Sequence, residues 1–379
     1  MSKTLTIGFA RMHEEAGEKR DFMPRFMADL ERHGYQIFFE YGLGSLMGLN
    51  EKDYLHVVPS ARFVSRDEIY QKDYVVILRY PGDDLVRSMP PASCLISMLH
   101  LPTRPARVEL MRSLGIEGLA IDMIKDDSGR RLVENLRSVG WNGVGVAFQL
   151  MRRIYPEPGF ESPERPPIKV TVLGPGEVGV HAIQSAARYG DETLHHDFAA
   201  LGIPGVRVCV LDYDLTGFET MMLDILKETD ILIDATQRLD PAAPIIPNKW
   251  IQVMPGHAIL LDLSVDPYNF TSTHYSVKGI EGIPQGNLDK YIFTPNDPAY
   301  NLIPESIDTT NRRHVIACYS WPGLYPKECM LVYGSQLRPI LRTIIEAGGI
   351  KRIDPHGNFF HRAIARGMLS QWNHFTNGN

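Results

Sequence analysis

Apolar and polar positions change rhythm along this chain every ten to twenty residues. "TLTIGFA" at residues 4–10, then "YQIFFEYG", "YVVILRYP", "CLISMLH" and "GLAIDMI", are short runs rich in β-branched and aromatic residues, of strand length. Between them the spacing turns helical. "DFMPRFMADLERHG" places Phe22, Phe26, Met27 and Leu30 on one helical face and stops at Gly34, and "PARVELMRSLG" predicts a second helix. Strands alternating with helices predict parallel β-α-β units, so about the first 125 residues read as one open α/β sheet.

From Arg130 to Arg153, "RRLVENLRSVGWNGVGVAFQLMRR" predicts a long helix loosened by glycines, and the loop "YPEPGFESPERPP" after it marks a domain junction. A second alternating block begins at "IKVTVLG" and runs through "VRVCVLDYD", "DILIDAT" and "AILLDLSVD" to "KYIFTP". Two late helical patterns, "MLVYGSQLRPILRTIIEAGG" and "FFHRAIARGMLSQWNHF", have no strands of their own and are expected to return to the first domain. The expected division is a discontinuous substrate and catalytic domain over 1–138 plus 318–379, and a second domain over 139–317.

Composition narrows the function classes. The 379 residues suffice for two domains, each with its own core. With 44% apolar and 22% charged residues, and glycine and proline scattered without period, disordered and fibrous readings fall away. A net charge of −6 without a basic run makes nucleic acid an unexpected partner and a small molecule the expected one. Cys94, Cys209, Cys318 and Cys329 form no C-x-x-C pair, so neither a metal site nor a disulfide framework is expected, and reduced thiols suggest a cytoplasmic protein. No signal-like or membrane-length apolar run is present, which predicts no membrane contact; self-association is left open.

"VLGPGEVGVHA" at residues 172–182 carries the spacing G-x-G-x-x-G between a strand and a helix. In that context Gly174 turns the chain, Gly176 admits a diphosphate, Val178 lies in the first helical turn and Gly179 lets helix and strand pack closely. The helix N-terminus offers N–H groups and a positive dipole end. Asp212 closes the next strand, where a carboxylate accepts from both ribose hydroxyls and disfavours a 2'-phosphate, so the expected cofactor is NAD. Asp212 follows Gly179 by 33 residues where about 20 is usual, and "DETLHHDFAALGIPG" reads as the insertion responsible. The fold class expected is thus α/β, two Rossmann-like doubly wound parallel-sheet domains with an active-site cleft between them.

Ligands of such sheets bind beyond the carboxyl ends of the strands. Three polar residues end apolar strands: Arg79, His100 and Asp266. Together they suit oxidation of an amine carbon to an imine that water hydrolyses. A histidine at position 100 suits the role of proton acceptor near neutral pH, Asp266 can support a cationic iminium, and Arg79 can clamp a carboxylate without shuttling protons. His195 and His196, being adjacent, cannot share a helix face as metal ligands and read as surface residues. Tyr275 and Lys278 read as loop lining.

These residues together resemble the superfamily of alanine dehydrogenase, lysine-forming saccharopine dehydrogenase and the NAD-binding part of transhydrogenase. The likeness runs through "GEKRDFMPRFMADLERHGYQIFFEYGLGS", "ISMLHLPTRPARVELMRSLG", the glycine loop with Asp212, "GHAILLDLSVD" and "YSWPGLYPKE". It implies that His100 is the catalytic histidine, that Asp266 lies near the nicotinamide, and that Lys19 or Arg20 holds a substrate carboxylate. Arg79 stands where the family places a catalytic lysine, a departure that would pass acid-base work to His100. "DDSGRRL" and "PGLYPKE" lean toward the saccharopine branch, where Arg131 would bind a second carboxylate; Tyr319 and the three-glycine loop lean away from it. The implied activity is NAD-dependent oxidation of the CH–NH bond of an amino acid or opine-like secondary amine. The alternatives are alanine dehydrogenase, a transhydrogenase-type subunit and a non-catalytic NAD sensor.

Overall fold

The computed structural model describes residues 5–12, 15–28, 30, 35–238, 240–271 and 274–372. They divide into two compact units, Met1–Asn135 with Tyr325–Asn379, and Leu136–Leu324.

The first unit is built on β1 (Thr6–Phe9), β2 (Gln36–Glu40), β3 (Arg62–Val64), β4 (Tyr74–Arg79), β5 (Cys94–Met98) and β6 (Glu117–Ala120), with α1 (Glu51–Val57), α2 (Arg66–Ile69), α3 (Asp83–Arg87) and α4 (Pro105–Ser113) between strands. The sheet is parallel throughout, in the order β3-β2-β1-β4-β5-β6. Tyr74, Val75, Val76, Ile77 and Leu78 are all buried, as a strand covered on both faces requires. Of the helix expected over residues 21–34, Pro24–Met27 form a 3₁₀ turn with Pro24 at its start, and residues 29 and 31–34 lie outside the described residues. Phe22, Phe26 and Met27 still face inward, against a core that also holds Phe9 and Phe39.

The second unit opens with α5 (Leu136–Ile154), which starts later than its apolar pattern suggested because Lys125 and Arg131 bridge across a turn first. Its glycines do not loosen it. A Cβ on Gly140 would meet the backbone nitrogen of Ala182 at 2.7 Å, so the residue is small because another helix presses on it. That helix is α6 (Glu177–Ala186), which follows β7 (Ile168–Leu173). Next come α7 (Glu192–Ala200), β8 (Val206–Leu211), α8 (Tyr213–Thr216), α9 (Glu219–Leu226), β9 (Ile231–Asp234), α10 (Asn248–Ile251) and β10 (Ile259–Asp262). A hairpin of β11 (Asn269–Thr271) and β12 (His274–Ser276), then β13 (Ile292–Phe293) and β14 (His314–Ala317), complete the unit. The six-stranded order is β13-β14-β10-β9-β7-β8, parallel except that β13 runs against β14. Separate apolar clusters pack its two faces, one with Val144, Phe148 and Trp321, the other with Met222, Trp250 and Phe293. The chain then returns to the first unit as α11 (Pro326–Glu346) and α12 (Phe359–Gly367).

Both units are Rossmann-like α/β folds. Among the described residues no helix is long and apolar enough to cross a membrane.

Candidate active site

In the second unit, β7 runs buried into a glycine loop whose three glycines do different work. Gly174 has φ +82°, where a side chain is strained. Gly179 lies so close to the loop that a Cβ would fall inside the carbonyl oxygen of Gly174. Gly176 is the opposite case: a Cβ there would meet nothing within 4 Å, so the loop faces open space on that side. Gly176 also caps α6 without a side-chain acceptor, leaving the first-turn N–H groups of Glu177, Val178 and Gly179 directed at that space. A cradle with a tight turn, an open face and a helix N-terminus fits a dinucleotide diphosphate. Asp212 is exposed at the end of β8, with one carboxylate oxygen taking the N–H of Tyr213. α7 occupies the insertion that lengthens the spacing between them. One departure stands out: Glu177 puts a negative charge on the first turn of the same helix.

The adjoining strand ends carry a buried polar network. Asp234 ends β9 and Asp262 ends β10, in register with each other. Thr236 donates to Asp234, the N–H of Val265 and the Lys278 ammonium, at 2.7 Å, donate to Asp262, and the single hydroxyl proton of Ser264 is shared between the two carboxylates, 3.2 Å from Asp234 and 3.0 Å from Asp262. Lys278 is 1% exposed, so the residue read as loop lining is instead a core cation, and it also donates to the backbone carbonyl of Asp266 at 3.0 Å. Burial, then the charge of Asp262, pushes Asp234 up to about 6. Burial works the same way on Asp262, but Lys278 and the surrounding donors outweigh it and hold that carboxyl below its ordinary range. Asp266, expected to be free to support a cation, is paired with the largely buried Arg238 at 2.7 Å. A carboxylate already paired with a guanidinium supports a second cation less well than a free one.

In the first unit, β4 and β5 are neighbours, with Arg79 opposite Met98, so Arg79 and His100 leave adjacent strand ends. His100 stands half exposed on a left-handed backbone, φ +51°. Its Nδ1 lies 3.2 Å from the buried carboxylate of Asp122, which also accepts the backbone N–H groups of Leu99 and His100. Burial opposes the charge on Asp122, but the His100 imidazole and these N–H groups prevail and hold its carboxyl below the usual range. With Nδ1 engaged, Nε2 is the nitrogen left to exchange a proton. Arg79 pairs with Glu15. Beside them Arg107 stacks on Tyr80, its guanidinium 4.2 Å from the ring centroid. Burial, together with the charges of Arg104 and Arg79, lowers the pKa of Arg107, so this strand end gathers several guanidinium groups.

The expected carboxylate contacts separate. Lys19 is exposed. Arg20 is 3% exposed and bound through two nitrogens to the carboxylate of Glu18; burial works against its charge, but Glu18 prevails and raises its already high pKa, and a substrate carboxylate there would have to displace Glu18. Arg131 is exposed, and both it and Arg20 act electrostatically on the buried Tyr333 hydroxyl of α11, whose pKa burial holds well above its ordinary value. Asp122, Arg107, Arg238 and Lys278 were not singled out from sequence as site residues. Asp122 obeys the strand-end rule that selected His100, since it closes "GLAID" just after β6. Arg238 and Lys278 sit in loops, and nothing in their spacing marks them as buried. His195 and His196 are on α7, without the ligand set of a metal; among the described residues no group of three or more His, Cys, Asp or Glu is gathered as one.

Comparison with known proteins bears on the whole arrangement. Residues 13–139 match the family described as alanine dehydrogenase/PNT, N-terminal domain. The NAD(P) transhydrogenase subunit alpha of Haemophilus influenzae is 21% identical, over 96% of this chain and 70% of its own length. That of Cereibacter sphaeroides is 27% identical, over 51% of this chain and 38% of its own. Among solved structures, an L-alanine dehydrogenase shares the fold with a TM-score of 0.70 at 18% identity, covering 96% of this chain and 94% of that one. A transhydrogenase from Sinorhizobium meliloti shares it with a TM-score of 0.61 at 14% identity, covering 90% and 94%. Residues 13–139 are thus similar to that family, and the chain shares its fold with these solved structures.

Proposed function

We propose that this chain is an NAD-dependent oxidoreductase acting on the CH–NH bond of an amino acid or an opine-like secondary amine. The observation that carries the reading is the glycine loop, tight at Gly174 and Gly179 and open at Gly176, ahead of a helix N-terminus. Gly174, Gly176, Val178 and Gly179 hold the diphosphate, and Asp212 takes the ribose hydroxyls. NAD, when bound, supplies the hydride acceptor.

The remaining chemistry belongs to side chains. Loss of hydride from carbon and of a proton from nitrogen gives an imine, which water hydrolyses to an oxo acid and an amine. His100 takes and returns the proton through Nε2, and Asp122 keeps the ring oriented and stabilises its protonated form. Arg79 keeps its charge at any working pH and orients a carboxylate, with Glu15 as the anion it exchanges for substrate. Arg107 reinforces that positive field. Lys19 and Arg131 are the exposed partners for substrate carboxylates, and Arg20 serves from behind by holding Glu18. This supply of cations favours a substrate with two carboxylates. Asp266 acts through its pairing with Arg238 rather than as a free charge.

The curated relatives support a second reading, a subunit that passes hydride to another nucleotide held by a partner chain. Replacement of lysine by arginine at position 79 supports a third, an NAD sensor without turnover. One experiment separates all three: follow NADH absorbance with a panel of amino acids, opines and oxo acid plus amine mixtures. Turnover with a dicarboxylic secondary amine supports the proposal, and turnover with pyruvate and ammonium points to alanine dehydrogenase. NADH binding without turnover on the whole panel overturns the dehydrogenase reading. Reduction of a second nucleotide only when a partner chain is added then marks the transhydrogenase role.

A further inference from the structure

β8 is the last strand of its sheet, and its six residues pair with β7 alone. A doubly wound sheet ordinarily lays a third strand outside its second. Here the chain from β8 to β9 holds only α8 and α9, so that strand is not supplied in its usual place. The loss shows at the surface: Val210 and Leu215 are each 38% exposed and Phe218 is 61% exposed. On the α9 side a groove of about 800 Å³ runs along the edge, with Val170, Thr171 and Cys209 as its floor and Leu215, Phe218 and Met221 along its wall. Natural sheet edges are blunted by proline, bulges or inward charges. "VRVCVL" has no proline and a single charge, Arg207.

We propose that this edge joins two copies of the chain, β8 to β8 antiparallel, about a two-fold axis through Cys209. Charge selects a second copy over another partner. Lys169 and Arg207 both reach Glu228, at 3.0 and 2.8 Å, and Lys227 pairs with Asp224, so the rim is close to neutral in a chain of net charge −6. Two such rims approach without repulsion, where a strongly charged peptide would gain nothing. The register is self-complementary too. Residues opposed in an antiparallel pair share a face, so an axis at Cys209 sets Val208 against Val210 and Arg207 against Leu211 of the second copy. No like charges then meet. The contact is isologous and closes at two. A six-residue strand gives a contact line of about 20 Å. Phe218, 61% exposed, and Leu215, 38% exposed, from each copy cover the other's groove and add apolar area to the strand pairing, toward the ~1,000 Å² that a specific dimer needs.

The inference does not depend on the proposed activity. Sedimentation velocity of the full chain at micromolar concentration is expected to give twice 42.8 kDa. V210K, at a half-exposed position, places a lysine from each copy at the seam and is expected to weaken the dimer by about tenfold or more. A short bismaleimide is expected to join two wild-type chains through Cys209 and fail on C209S, because Cys94, Cys318 and Cys329 are buried. A monomer at every concentration, a dimer indifferent to V210K, or a dimer whose Cys209 residues do not cross-link overturns the proposal. So does release of the edge by a foreign strand-forming protein that binds it more tightly than a second copy.

Discussion

His100 holds a left-handed backbone that costs a non-glycine residue about 1–3 kcal/mol, and such strain persists where surroundings over-determine it. Asp122 is what over-determines it, gripping the ring and two successive N–H groups. On the active substrate, H100N is expected to lower kcat by about 10²–10⁴-fold, the usual share of general acid-base catalysis. D122N is expected to fall between that and wild type, with its pH profile displaced because the protonated imidazole loses its counter-charge. Equal kcat in wild type and D122N would remove Asp122 from the mechanism. Asp234 makes a separate prediction about stability. Its folded pKa, about 6, lies above its unfolded value of about 4, so its contribution is complete below pH 4 and is lost as pH rises through 6. The loss is at most about 3 kcal/mol. Thermal melts of D234N should fall less than wild type between pH 4 and 7; parallel curves would contradict it. Asp21, raised by burial to about 6, adds a second loss of the same sign in the first unit. Asp266 lies four residues past Asp262, where β10 ends, but Arg79 at the end of β4 and His100 two residues after β5 were legible because strand ends are readable from apolar runs. The pairing of Asp266 with Arg238 and of Arg20 with Glu18 was not, because the former joins residues 28 apart and the latter depends on burial rather than spacing.

At the scale of elements, α6 and its loop are what sequence described best, since G-x-G-x-x-G imposes backbone requirements that side-chain variation elsewhere cannot hide. Glu177 is the open term. It favours the helix dipole at its own N-terminus yet competes with a diphosphate for the same N–H field. E177Q is expected to tighten NADH about two- to fivefold, matching a dipole-scale interaction of 0.3–1 kcal/mol; unchanged or weaker binding by fluorescence titration would show that Glu177 faces away from the ligand. Other elements were misread for local reasons. In the described part of residues 21–34, Pro24 fixes the backbone at the start of a short 3₁₀ turn, Pro24–Met27. β3 is three residues long, too short for periodicity to reveal. The missing strand beyond β8 was hidden because "VRVCVLD" reads alike at an edge and in a centre.

For the whole molecule, two α/β units with separate apolar cores divide the work: one carries the glycine cradle, the other the His100–Asp122 pair and the guanidinium cluster. The α/β class was readable from alternating runs. The antiparallel β13 was not, since a two-residue strand carries no directional signal. Everything functional rests on the cradle accepting a dinucleotide, and calorimetric titration with NADH and with NADPH tests that claim most directly. One saturable NADH site per chain is expected, with NADPH at least about tenfold weaker, because Asp212 repels the added phosphate. A chain that takes up neither nucleotide, or that prefers NADPH, would contradict it.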